Sequence, residues 1–203
     1  MNGALHVFVH VTDRFNRRVG RIMMYGIFVM MGILLWSSIS KTFFLPSLWT
    51  LEMAQFAMVA YYILGGPYSI QMGSNVRMDL LYGDWTETRK AWFDAITVMF
   101  LLFYLGILLW GGIGSTAYSL GHFGTEPFAF FGNLIKGFIT GGLEGANEVL
   151  GRFERSPTAW RPYLWPIKAI MVFGLFLMLM QSLSELAKDI LRIRGEDIPR
   201  EAI

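Results

Sequence analysis

Charged residues avoid four long stretches of this chain, and that gap constrains the fold more than any motif does. A helix needs about 20 mostly apolar residues to cross a bilayer. Residues 22–40 meet this with no charge at all. Residues 48–66 contain one acid, Glu52, near their start; residues 91–113 contain Asp94 near theirs; residues 163–184 contain Lys168 near theirs. No charge falls at a span centre, where it would cost several kcal/mol. The end charges lie within reach of headgroups by snorkelling. The sequence therefore predicts an all-α integral membrane bundle of four spans.

Composition agrees. Of 203 residues, 54% are hydrophobic and 16% charged, with mean hydropathy +0.46. Soluble domains carry about 25% charged residues. A signal peptide is the competing reading of the first stretch, because Arg14, Arg17, Arg18 and Arg21 precede it. Its apolar run exceeds the roughly 7–15 residues of a signal core, and no small-residue cleavage site follows. A net charge of +2 gives no reason to expect nucleic acid as a partner.

Lys and Arg set the orientation. The N-terminal segment, the 67–90 loop and the 185–203 tail hold 11 of them, and the other side holds 6. Both termini are thus expected in the cytoplasm, with a long periplasmic loop at 114–162. Aromatic residues gather near the expected interfaces, with Phe43, Phe44, Trp49, Trp110, Tyr118, Trp160, Tyr163 and Trp165 outside. Tyr68, Tyr82, Trp85 and Trp92 fall inside.

The connecting segments carry further expectations. Residues 5–21 form a basic amphipathic segment in which Asp13, Asn16 and Gly20 share a face if helical. That face suits either a solvated interfacial helix or a docking surface. Gly65-Gly66-Pro67 should end or kink the second span. Arg77 and Asp79 lie in the following loop, either as ordinary juxtamembrane charges or as a latch. In the 114–162 loop, Leu134, Ile135, Phe138 and Ile139 have helical spacing, as do Val149, Leu150 and Phe153, with Gly141-Gly142 between them. One or two short amphipathic helices on the membrane surface are expected there; a plain insertion is the alternative. Gly26, Gly32, Gly106 and Gly174 interrupt the spans and read as close-packing points.

Chemistry-bearing patterns are sparse. The chain has no Cys, and its three His, at 6, 10 and 122, all lie outside the expected spans. A haem held in the bilayer by two His is not expected. His6 and His10 stand four residues apart, which is more often chance than a metal pair. Gly111-Gly112-Ile113-Gly114 lacks the Lys and hydroxyl of a phosphate loop. No cofactor, metal or catalytic group is expected, and the chain is not read as an enzyme. An accessory membrane subunit fits better than an independent carrier, which would place polar groups near the midplane.

Five segments carry a resemblance. They are Asp13-Arg14-Phe15-Asn16 with Gly20-Arg21; Leu48-Trp49-Thr50-Leu51-Glu52; and Asn75-Val76-Arg77-Met78-Asp79-Leu80-Leu81-Tyr82. The last two are Glu154-Arg155-Ser156-Pro157-Thr158-Ala159-Trp160-Arg161-Pro162, and Trp165-Pro166-Ile167-Lys168 with Gly174 and Gln181-Ser182-Leu183-Ser184-Glu185-Leu186. In this order they resemble the small permease (Q, DctQ-like) subunit of tripartite ATP-independent periplasmic (TRAP) transporters, closest to the mannitol/chloroaromatic branch. Asn75 stands where the family often has His, and residues 119–152 look like an insertion. The resemblance implies a large permease (M) subunit that carries the substrate and ion sites and moves as an elevator. It implies a periplasmic substrate-binding protein, an organic acid as cargo, an ion gradient (commonly sodium) as driving force, and a static scaffold role for the small subunit. It implies a multi-pass protein of a bacterial or archaeal cytoplasmic membrane.

On that reading Asp13, Asn16, Gly20, Glu52, Arg77, Asp79, Glu154, Trp160, Lys168 and Gln181 are candidate contacts to subunits or membrane lipids. Glu52 and Lys168 sit at outer span ends and are expected to pair with each other, or else to touch the large subunit or a headgroup.

Overall fold

A computed structural model describes residues 2–73 and 87–193. Six helices follow in order: α1 (Asn2–Met24), α2 (Gly26–Phe43), α3 (Thr50–Gln71), α4 (Glu87–Ser119), α5 (Pro127–Val149) and α6 (Trp165–Ile193). The described residues contain no strand, only an isolated antiparallel bridge between Arg155 and Tyr163. Three stretches are long and apolar enough to cross a membrane: Leu5–Phe43, which joins α1 and α2, Trp92–Ser119 and Trp165–Ile193. Helix α3 is long enough but is not among them. Glu52, Gln55, Tyr61, Tyr62, Gly65 and Gly66 dilute its apolar residues. Arg77 and Asp79 lie outside the described residues.

The chain resolves into two compact units. One comprises Met1–Tyr25, Tyr61–Ile107 and Gly174–Ile203; the other comprises Gly26–Ala60 and Leu108–Phe173. We call them the terminal unit and the loop unit.

In the terminal unit, buried polar side chains share the interior with apolar ones. Helix α1 buries Asp13 and Asn16 and leaves Val7, Val11 and Phe15 exposed. Helix α6 buries Gln181, Ser182, Ser184 and Asp189 together with Leu175, Leu177, Ala187 and Leu191, while Phe176 and Ile190 stay exposed. Polar side chains kept off the surface, beside exposed large apolar ones, suit a helix face that meets hydrocarbon. Close helix contact depends on glycine. A Cβ on Gly20 would collide with the Tyr68 side chain, and one on Gly174 would collide with Ile63. Gly66 meets Met178, whose Sδ would lie 3.0 Å from an added Cβ.

Two expectations are corrected here. Of the two outcomes expected at Gly65-Gly66-Pro67, an end or a kink, the end is overturned: helix α3 continues through Pro67 to Gln71. Pro67 removes the amide that the Ile63 carbonyl would accept. That carbonyl lies against Gly174, and Pro67 itself is fully buried, so tertiary packing holds the helix together. Gly32 and Gly106 are not close-packing points within the chain, because an added Cβ would meet nothing within 4 Å at either.

In the loop unit, α2 buries only Ser40 and exposes Phe28, Val29, Leu35, Trp36 and most of its other large side chains. The long loop contains one helix, α5, broken at Gly142, whose φ of 62° suits glycine alone. Across that break Gly137 and Gly145 approach backbone to backbone. Of the aromatic residues of α5, Phe130 is buried and stacks on His122 at 4.8 Å, while the exposed Phe128 meets the exposed Trp110 at 5.0 Å.

The ends of this excursion are stitched together. The Gly151 amide donates to the Leu120 carbonyl at 3.1 Å, and the Glu154 amide donates to the Ser119 carbonyl at 3.0 Å. Gly121, at φ 92°, touches the Gly151–Arg152 backbone so closely that any Cβ would clash. The chain thus leaves and returns at one point.

Candidate functional site

The polar candidates gather into two clusters, one in each unit. The terminal cluster is centred on Gln181, which is fully buried on α6. Its Nε2 donates to Asp13 Oδ1 at 2.9 Å and to Glu185 Oε1 at 3.1 Å. Its Oε1 accepts from Asn16 Nδ2 at 2.7 Å. Asp13 Oδ1 also accepts from the Ser184 hydroxyl at 2.9 Å. The other carboxylate oxygen, Oδ2, pairs with Lys188 Nζ at 2.6 Å, and Lys188 bridges on to Glu185 at 2.8 Å. Every polar atom of Gln181 is therefore used. The Asn16 Oδ1 atom is buried and has no partner among the described residues.

Geometry explains the match. Gln181, Ser184, Glu185 and Lys188 fall at i, i+3, i+4 and i+7, one face of α6. Asp13, Asn16 and Gly20 present the facing stripe of α1. Gly20 removes side-chain bulk, so α1 can approach Tyr68 closely enough for the short side chains of Asp13 and Asn16 to reach α6. Charge-assisted hydrogen bonds are each worth about 1.5–3 kcal/mol, and this cluster holds several.

The loop-unit cluster starts in the first turn of α3. Thr50 is buried and sits in a hydroxyl chain: Ser47 Oγ donates to Thr50 Oγ1 at 3.0 Å, and Thr50 Oγ1 donates to Ser37 Oγ at 3.2 Å. Two residues on, the buried Glu52 accepts at Oε1 from the Ser156 hydroxyl at 2.7 Å and from the Thr158 hydroxyl. Glu52 Oε2 is buried with no partner among the described residues. Lys168 does not pair with Glu52. Its Nζ binds Glu154 Oε2 at 2.6 Å and approaches the Ser115 carbonyl at 3.3 Å. The reason lies in segment 154–164, which folds back on itself and presents Glu154 to Lys168 and the two hydroxyls to Glu52.

That segment is a small platform. The Ser156 amide donates to the Pro162 carbonyl at 2.9 Å, and the Leu164 amide donates to the Glu154 carbonyl at 3.2 Å. The Arg155 guanidinium donates to the Tyr163 hydroxyl and lies 4.5 Å from that ring's centre. Trp160 is on the turn and exposed. No contact of Trp160 with the other candidates is seen among the described residues.

Sequence reasoning missed Ser184 and Lys188 as partners of Asp13, and Ser156 and Thr158 as partners of Glu52. The helical spacing from Gln181 to Lys188 would have pointed to the first pair. The second pair carried no sequence signal, because it depends on how a loop turns. His10 bonds Arg14 at 2.6 Å, and the described residues include no group of three or more His, Asp or Glu able to hold a metal.

The fold and its polar seams define an all-α, multi-pass membrane protein. Residues 30–192, well over half of the chain, match the family of the DctQ component of tripartite ATP-independent periplasmic transporters. The chain belongs to that family. No curated protein and no solved structure matches it.

Proposed function

We propose that this chain is the static scaffold of a TRAP transporter, holding a large elevator-type permease (M) subunit in the cytoplasmic membrane. In this reading the complex imports an organic acid delivered by a periplasmic binding protein, as a symport driven by an ion gradient, sodium in the first instance. Helix α3 supplies a fourth span, both termini face the cytoplasm, and the excursion after α4 faces the periplasm.

One observation supports the scaffold role: buried polar side chains cross-link elements within each unit. Asp13, Gln181 and Lys188 lock α1 to α6, and Glu52 and Lys168 lock the 154–164 platform. Meanwhile most large side chains of α2 are apolar and left exposed by the described residues, leaving area for lipid and for larger subunits. A rigid part with greasy flanks suits a partner that moves against it.

The test is reconstitution into proteoliposomes with the large subunit, the binding protein and a set of radiolabelled organic acids. The chain alone should transport nothing, and uptake should require all three components and an imposed sodium gradient. Uptake by the chain alone would identify an independent carrier instead.

Residues 120–150 are further proposed to widen the surface on which the binding protein docks. Because the excursion leaves and returns at one point, deleting residues 122–150 should leave the rest folded. The deletion should raise the binding-protein concentration needed for half-maximal transport. An unchanged concentration dependence would remove the docking role.

A further inference from the structure

Beside the 154–164 platform, within the loop unit, a cavity of about 610 Å3 opens. Tyr118, Phe123, Arg152, Arg155, Arg161 and Tyr163 supply most of its wall. The one carboxylate in the lining, Glu154, is already neutralised by Lys168 at 2.6 Å. Three guanidinium groups therefore face the cavity with little opposing charge.

The arginines are arranged unequally. Arg155 is fixed by the Tyr163 hydroxyl and ring, which leaves part of its donor fork free. Arg152 and Arg161 are exposed and have no carboxylate partner among the described residues. Arg161 adopts φ 50°, a left-handed conformation that non-glycine residues seldom take. The Ser156 amide bond to the neighbouring Pro162 carbonyl ties this turn of the platform.

Position decides between ligands. Tyr118 is the penultimate residue of the apolar stretch Trp92–Ser119, and Tyr163 lies two residues before the stretch Trp165–Ile193. The cavity thus sits where two candidate spans end, at the level of headgroups, where aromatic residues also collect. Phe123 and Tyr118 are exposed beside it and stack edge to face at 5.1 Å, giving an acyl chain an apolar surface. Arginine forks match the oxygens of a phosphodiester. We propose that this cavity binds the phosphate of an anionic phospholipid, with Arg152 and Arg161 as its principal ligands and Arg155 as a fixed third donor. The site needs only that these helix ends meet a membrane surface, so it stands whether or not the scaffold role does.

Native mass spectrometry of the delipidated full-length chain tests this, with phosphatidylglycerol and inorganic phosphate titrated separately. Wild type should retain phosphatidylglycerol at one saturable site. Arg152→Gln/Arg161→Gln should weaken it about tenfold or more, as expected for lost charge-assisted bonds. Arg18→Gln/Arg21→Gln, which removes equal charge from α1, should not. Arg161→Gly suits the left-handed backbone and should also weaken binding, which covers the case of a misfolded double variant. Equal loss in both double variants, or no loss at Arg152 and Arg161, would overturn the proposal. Displacement of the lipid by inorganic phosphate at matched concentration would assign the site to a free anion. Protection of these arginines from modification by a co-purified acidic protein, with no lipid present, would assign it to a protein. Either result would also overturn the lipid assignment.

Discussion

Asp13 in the terminal unit and Glu52 in the loop unit are both buried acids, and the two are solvated differently. Asp13 accepts from an amide and a hydroxyl at one oxygen and from an ammonium at the other. Glu52 has hydroxyl donors at one oxygen and none at the other among the described residues. The first arrangement joins two helices and includes a counter-charge. The second ties a helix to a loop through neutral donors alone. Charge removal should therefore be severe at position 13 and mild at position 52.

The largest expected effect follows from Asp13→Ala. It leaves Lys188 with Glu185 alone and strips Gln181 and Ser184 of an acceptor in a buried site. Breaking such a network costs about 3–5 kcal/mol. Thermal unfolding of the purified chain in detergent should show that loss together with release of α1, read as new proteolysis between residues 2 and 24. Gly20→Leu comes next. Its side chain must displace Tyr68, which overpacking data put at about 1–3 kcal/mol, and it should weaken the same α1 attachment without touching a charge. A Gly20→Leu variant as stable as wild type would mean that α1 does not pack closely on Tyr68.

The smallest effects belong to the loop unit. Glu52→Gln keeps an acceptor for Ser156 and Thr158 and should cost about 1 kcal/mol. Lys168→Met breaks a partly exposed pair and should cost no more than about 1 kcal/mol. Because the two residues have different partners, the double variant should be additive within about 0.5 kcal/mol. A coupling energy clearly above that would restore direct pairing of Glu52 with Lys168.

Legibility from sequence tracked how local each feature is. The Asp13–Asn16–Gly20 face depends only on helical spacing, and the structure shows that face buried. The break at Gly142 was visible because adjacent glycines punctuate a helical pattern. Partner choice for Glu52 and Lys168 was not legible, since both sit at span ends and only the turn of segment 154–164 separates their partners. The continuation of α3 past Pro67 was equally hidden: local propensity argues for a stop there, and the contact with Gly174 overrides it. Glycines were ambiguous for the same reason. Gly174 is packed against Ile63, whereas an added Cβ at Gly32 or Gly106 would meet no described residue within 4 Å.

The proposed role has this chain hold a larger membrane subunit that carries out the transport. The most direct measurement is affinity purification of the full-length chain from its native membranes in mild detergent, with quantitative mass spectrometry of what accompanies it. The account predicts a larger multi-span permease in equal amount, lost when Asp13→Ala frees α1. Recovery of the chain alone, at wild-type yield and stability, would contradict it.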